Sequence, residues 1–215
     1  LLQLAVFLGN PGAKYRRNRH NAGWMLADAM AFSPLLSWQK KFRGLYACGN
    51  GFHFLKPQTF MNLSGESALA AATFFKIKPE QIIVVHDEIE LHPGTLSLKF
   101  SGGLGGHNGL RSMKACFGTA DFWRLRIGVG RPDGRIPGTG GSAESGREAG
   151  IADWVLSDFS AAESGAFAPV FDVGAELLER AITAGPETLL PEWAKKKPPA
   201  EQPAPSGQAT ETWTP

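Results

Sequence analysis

Leu2-Gln3-Leu4-Ala5-Val6-Phe7-Leu8-Gly9-Asn10-Pro11-Gly12 opens the chain with a short apolar run that stops at four turn-forming residues. Such a run, bounded by Gly, Asn and Pro, predicts a buried strand that ends in a loop. After the basic stretch Lys14 to Arg19, Ala22, Met25, Leu26, Ala29 and Met30 recur at helical spacing. A strand, a loop and a helix in that order is the repeating unit of α/β proteins.

The same punctuation continues downstream. Leu45 to Cys48 and Phe52 to Lys56 flank Gly49-Asn50-Gly51, a hairpin signal because Asn-Gly supplies the positive φ angles of a tight turn. Ser67 to Phe75 is Ala-rich and helical, Gln81 to His86 is a strand, and Thr95 to Phe100 alternates as another strand. Gly102 to Gly109 holds five glycines and opens onto a helix over Leu110 to Phe117, and Trp123 to Val129 is the last strand. The alternation predicts one α/β domain, residues 1–185, with a twisted mixed sheet flanked by helices. Residues 131–150 form a long Gly-rich polar insertion, expected to be a mobile loop, and Ala161 to Ala184 is helical. Seven of the 15 prolines fall beyond Gly185, so residues 186–215 are expected to be a disordered tail outside the core, removable without loss of activity.

Composition bounds the function. At 43% hydrophobic and 20% charged, with no apolar run near the ~20 residues a bilayer requires, the chain is expected to be soluble and without a membrane partner. Cys48 and Cys116 are too few for a disulfide framework and lack metal-ligand spacing, which suits a reducing cytoplasm. The net charge of +2 conceals a segregation: residues 1–135 carry +9, residues 136–185 carry −6 and residues 186–215 carry −1. A basic front of this size fits either an anionic partner or an ordinary solvated face. If the partner is a nucleic acid, the acidic stretch should lie away from its phosphates or wall them in.

Four segments can carry chemistry. Asn10 ends the first strand and His20 follows ten residues on at the start of a helix, which can bring both to the sheet edge where α/β proteins bind ligands. Taken alone, His20 fits a core or helix-terminal histidine equally well. His86-Asp87-Glu88 follows a buried strand; Asp87 can orient an imidazole or cap a turn. Lys56 to Gly65 runs from a strand through a polar loop into a helix, where Asn62 and Ser64 also fit N-caps. The glycine loop before His107-Asn108 can present N–H groups to a phosphate, but it matches neither the nucleotide P-loop nor the dinucleotide fingerprint.

Together, Leu8-Gly9-Asn10-Pro11-Gly12, Tyr15, Arg19-His20-Asn21-Ala22-Gly23, Thr59-Phe60-Met61-Asn62-Leu63-Ser64-Gly65, His86-Asp87-Glu88 and Gly105-Gly106-His107-Asn108-Gly109-Leu110 resemble bacterial peptidyl-tRNA hydrolase in order and spacing. The resemblance implies a cytoplasmic, monomeric enzyme that hydrolyses the ester between a peptide and the 3′ ribose of tRNA, with peptidyl-tRNA as its partner and no obligate protein partner. It implies His20 as catalytic base, Asp87 as its orienting carboxylate, and Asn10, Asn62 and Asn108 as holders of substrate and water. Tyr15 and Met61 match pocket residues, and Lys99 and Arg126 match a basic pair for the tRNA 5′ phosphate. These residue types need no metal or cofactor, since neutral imidazole can activate water and amide groups can hold an oxyanion. Further candidate phosphate partners are Lys14, Arg16, Arg17, Arg111, Lys114 and Arg124. An RNA-binding scaffold on the same fold and a small-molecule esterase using His20 and Asp87 are the competing readings.

Overall fold

The computed structural model describes residues 1–31, 33–132 and 148–194. The strands are β1 (Leu4–Phe7), β2 (Gln39–Lys41), β3 (Gly44–Gly49), β4 (Phe52–Pro57), β5 (Ile82–Glu88), β6 (Leu96–Phe100) and β7 (Trp123–Gly128). The helices are α1 (Ala22–Ala29), α2 (Ser64–Phe75), α3 (Asn108–Phe117), α4 (Glu148–Val155), α5 (Ala161–Ala184) and the short α6 (Leu190–Trp193). The strands form one mixed sheet in the order β2-β3-β4-β1-β5-β7-β6.

β1 lies parallel to β4 and β5, and β5 lies parallel to β7, so the carboxyl ends of these four strands share one edge. β5 is buried along its whole length, which explains its unbroken apolar run: a central strand covered on both faces has no polar side to alternate. The hairpin between β3 and β4 turns at Asn50 and Gly51, with φ of 51° and 76°, as its sequence predicts.

Each face of the sheet is covered by helices. Leu26 and Ala27 of α1, Val170, Leu177 and Leu178 of α5, and Trp193 of α6 close over Phe7, Val85 and Leu125. On the other face Ala68 and Ala72 of α2, with Leu110 and Met113 of α3, cover Val6, Ile82 and Val84. Gly23 lets α1 start hard against the sheet edge, because a Cβ there would sit 2.6 Å from the carbonyl oxygens of Leu8 and Val85. That close approach sets the preceding residues, His20 included, beside the ends of β1 and β5.

Three sequence-based expectations need correction. Residues 186–215 were expected to stay outside the core, yet Pro186–Leu189 form a 3₁₀ turn, α6 follows, and Leu189 and Trp193 belong to the core. Trp193 is 1% exposed. The prolines misled because Pro186 and Pro191 sit in first turns of helices, where a missing N–H costs nothing. The packed chain therefore runs past 185 at least to residue 194, and residues 195–215 lie outside the described residues. Of the insertion expected to be a loop, residues 133–147 lie outside the described residues, while its last three residues already belong to α4. Finally, β2 adds an edge strand whose sequence, Gln39-Lys40-Lys41, carries no apolar pattern and which forms by pairing with β3.

Candidate active site

The shared edge of β1, β4 and β5 gathers the chemistry. Asn10 leaves the end of β1, Met61 and Asn62 occupy a 3₁₀ turn beyond β4, and Asp87 lies near the end of β5. His20 sits in a 3₁₀ turn (Arg19–Asn21) that leads into α1. The strand order reverses across β1, because β2 to β4 fill one side and β5 to β7 the other, which makes this edge the expected ligand crevice of an open α/β sheet.

Asn10 is buried and its conformation is fixed from two sides. Its backbone N–H donates to Asn21 Oδ1 at 2.8 Å, and Asn21 Nδ2 donates to the Asn10 carbonyl at 3.0 Å. The Met61 N–H donates to Asn10 Oδ1 at 2.8 Å. With its oxygen occupied, the group Asn10 can offer the cleft is its amide NH₂, a donor. Gly109 is required nearby, since a Cβ there would meet Met61 Sδ at 2.6 Å.

His20 Nδ1 lies 2.9 and 3.0 Å from the two carboxylate oxygens of Asp87. An ionised carboxylate only accepts, so Nδ1 carries the proton and Nε2 keeps its lone pair. Asp87 is 2% exposed. Burial alone would raise its pKa, but the imidazoles of His20 and His107, through charge and hydrogen bonds, hold the carboxyl well below the usual carboxylate range.

His107 is the second imidazole on Asp87, its Nε2 3.0 Å from Oδ1. It is also the N-cap of α3, where its Nδ1 accepts the N–H groups of Gly109 at 3.1 Å and Leu110 at 3.4 Å. Backbone N–H groups can only donate, so Nδ1 must be the acceptor and Nε2 the N–H that faces Asp87. The start of α3 thus dictates the tautomer of His107, and His107 holds Asp87 Oδ1, an oxygen that His20 Nδ1 also reaches, with the two rings 4.7 Å apart. His86, fully buried behind them, donates from Nδ1 to the Asp87 carbonyl at 2.7 Å. Burial first, then the neighbouring His107 and Arg124, push its pKa well below 6.5, so it remains neutral.

His20, Asp87 and His107 offer ligand atoms within 4.8 Å of one another, a set of the type that binds transition metals. The donor chemistry argues against that use. A metal on His107 Nε2 would move its proton to Nδ1, into the two backbone N–H groups that cap α3. The cluster is built around shared protons.

Two lobes of one cleft meet at His20 and Asn108. One, of about 480 Å³, is lined by Asn10, Tyr15, Phe60, Met61, Asn62 and Leu156 and carries no formal charge. The other, of about 660 Å³, adds Asp87, Glu88, Glu90, His107, Arg111 and Arg131. Ala152 and Val155 of α4 border both lobes.

The sequence-derived residues therefore separate. His20, Asp87, Asn10, Tyr15, Met61, Asn62 and Asn108 converge on the cleft. Lys99 and Arg126 do not line it; they lie on β6 and β7, where Arg126 donates to Ser97 Oγ at 2.8 Å and approaches Glu88 at 3.9 Å. Arg124 must be withdrawn as a phosphate partner: it is 1% exposed and donates to the Gly103 carbonyl at 2.7 Å, supporting the glycine loop. A place inside the sheet, between β5 and β6, buries a side chain that the sequence offered only as a cation. Sequence reasoning missed the roles of His107, Asn21 and Arg19. The position of His107 immediately before a helix was the available signal, since that is where capping side chains sit.

The family model for peptidyl-tRNA hydrolase matches residues 4–201. A peptidyl-tRNA hydrolase of Treponema pallidum (strain Nichols) is 47% identical over 206 residues, covering 91% of this chain and 96% of that protein. Among solved structures, a complex of peptidyl-tRNA hydrolase with N-propanol is similar at a TM-score of 0.74 and 32% identity, covering 92% of this chain and 96% of the other. The peptidyl-tRNA hydrolase of Acinetobacter baumannii matches at a TM-score of 0.70 and 32% identity, over 88% and 91% of the two chains.

Proposed function

The chain belongs to the peptidyl-tRNA hydrolase family and is an enzyme that hydrolyses peptidyl-tRNA, and on that premise we propose that His20 is its general base, Asp87 the carboxylate that orients it, and Asn10 the donor to the oxyanion. The observation that carries this reading is the directed hydrogen bond from His20 Nδ1 to Asp87, which leaves the Nε2 lone pair available to water. Nε2 takes one proton from water as the oxygen attacks the ester carbonyl. Asp87 stabilises the imidazolium that results. The Asn10 NH₂, its oxygen already held by Met61 N–H, meets the negative charge that develops on the carbonyl oxygen. When the tetrahedral intermediate collapses, the imidazolium returns the proton to the departing 3′ oxygen, giving free tRNA and a peptide carboxylic acid that loses the second water proton to solvent.

The two lobes divide the remaining tasks. The uncharged lobe, with Asn62, Asn108, Tyr15 and Met61, suits a peptide whose sequence varies, because amides grip backbone without reading side chains. Lys99 and Arg126, on the β6 and β7 edge beside the glycine loop, serve phosphates of the tRNA, a contact that weakens with salt. The acidic stretch contributes elsewhere: Asp158 lies 3.9 Å from Arg17, and Glu163 lies 2.6 Å from Arg19, so part of it neutralises the basic front. The enzyme acts in the cytoplasm as a monomer in this reading. Release of peptide from peptidyl-tRNA by wild type and His20→Ala tests it: near-complete loss is expected, and hydrolysis that survives His20→Ala would refute the assignment.

A further inference from the structure

Arg19 lies next to His20 but contributes nothing to the cleft lining, and its side chain is 4% exposed. Its contacts all run to the junction of α4 and α5. Nη1 donates to Ser157 Oγ at 2.7 Å, to the Asp158 carbonyl at 2.8 Å and to the Ser157 carbonyl at 3.3 Å. Nη2 donates to Glu163 Oε1 at 2.6 Å, and that carboxylate also closes the capping box of α5 with Ser160. The guanidinium carbon Cζ lies 3.7 Å from the centre of the Trp154 ring and 5.2 Å from that of Phe159. Backbone bonds brace the same seam, Arg19 N–H to the Ser157 carbonyl and Phe159 N–H to the Arg17 carbonyl, both at 3.1 Å.

The helix held this way is the roof of the cleft. Ile151, Ala152, Val155 and Leu156 face its lobes, whereas Trp154 points away, to Arg19 and to the Gly130 carbonyl. A planar fork that meets three acceptors, a carboxylate and an aromatic face at once fixes orientation as well as distance, which an ammonium group does not.

We propose that Arg19 is a positioning residue that latches α4 over the substrate cleft, so that the residue beside the catalytic base also sets how firmly peptidyl-tRNA is held. The proposal rests on the reading of this cleft as the substrate site. The latch touches no reacting atom, so loosening it weakens binding of ground state and transition state alike. Trp154→Leu and Glu163→Gln cut the latch from the roof side and leave Arg19-His20 intact; Arg19→Lys keeps the charge and removes the fork.

Steady-state hydrolysis of peptidyl-tRNA by these variants, with thermal melts of each, provides the test. The expected result is a KM raised about tenfold, equivalent to about 1.4 kcal/mol, with kcat within about threefold and an unchanged pH profile of kcat. Arg19→Lys should not restore KM, and Arg19→Lys combined with Trp154→Leu should be little worse than either alone, because both break one contact. If Arg19→Lys fails to fold, Trp154→Leu and Glu163→Gln decide. An unchanged KM in the folded roof-side variants, or a fall in kcat with a displaced pH profile, would overturn the latch. His20→Ala run in parallel separates the two ideas: its inactivity alongside unchanged KM in the latch variants refutes the latch alone, whereas its activity refutes the site.

Discussion

Replacing Asp87 by Asn removes the charge that faces His20 while keeping the shape of the side chain. The carboxylate oxygens lie 2.9 and 3.0 Å from His20 Nδ1, which puts the charge centres of an imidazolium and the carboxylate about 4 Å apart. At an effective dielectric of ~20 that attraction is about 4 kcal/mol, or about 10³-fold in rate. The amide dipole restores part of it, so kcat should fall about 10² to 10³-fold, measured by single-turnover release of peptide. His107 supplies the control, because its Nε2 reaches only Asp87 Oδ1 in this network. His107→Ala should lower kcat about tenfold in the wild-type background and less than about twofold when Asp87 is already Asn, since a group that acts through another has no effect once that other is gone. Equal effects of His107→Ala in the two backgrounds, or Asp87→Asn retaining a tenth of wild-type kcat, would refute the proton network.

Other outcomes follow from single contacts. Asn10→Asp keeps the acceptor for the Met61 N–H but replaces the NH₂ by an oxygen; kcat should fall about 10² to 10³-fold with little change in melting temperature, and a loss under tenfold would remove Asn10 from the oxyanion. A chain cut after Gly185 loses Leu189 and Trp193 from the core, which should cost at least about 3 kcal/mol in urea unfolding relative to a chain cut after Ala194; equal midpoints would show that α6 contributes nothing. His86 is held neutral with its pKa well below 6.5, so the folded state binds fewer protons than the unfolded one. Its contribution is complete above 6.5 and is lost below it at about 1.4 kcal/mol per pH unit. His86→Asn should flatten that acid slope, and parallel stability profiles of the two proteins would contradict the assignment.

The central strands and the helices that cover them were legible because burial leaves a pattern. β5 is apolar because both its faces are covered, and α5 repeats at helical spacing because one stripe of it packs. β2 escaped because an exposed edge strand is held by its neighbour's hydrogen bonds, which composition does not record. α6 escaped because prolines that break a helix in its interior are harmless in its first turn. Within the site, the positions of His20 and Asp87 were readable as elements meeting at one edge, but the partition of protons was not. That depends on which nitrogen of His107 the α3 backbone occupies and on Met61 occupying the Asn10 oxygen, contacts set by tertiary structure. Arg124 shows the converse: its charge was visible and its burial was not.

The seam between residues 17–19 and 157–163 has a consequence for the newly made chain. Its side-chain bonds join residues 138 to 144 positions apart, whereas the last strand of the sheet ends at Gly128. Every strand among the described residues, and the residues of the His20-Asp87-His107 cluster, therefore leave the ribosome before the roof does. Closing so long a loop costs more chain entropy than any pairing within the sheet. The cleft thus owes its roof to a contact between the segment just before the first helix and residues made long after the sheet.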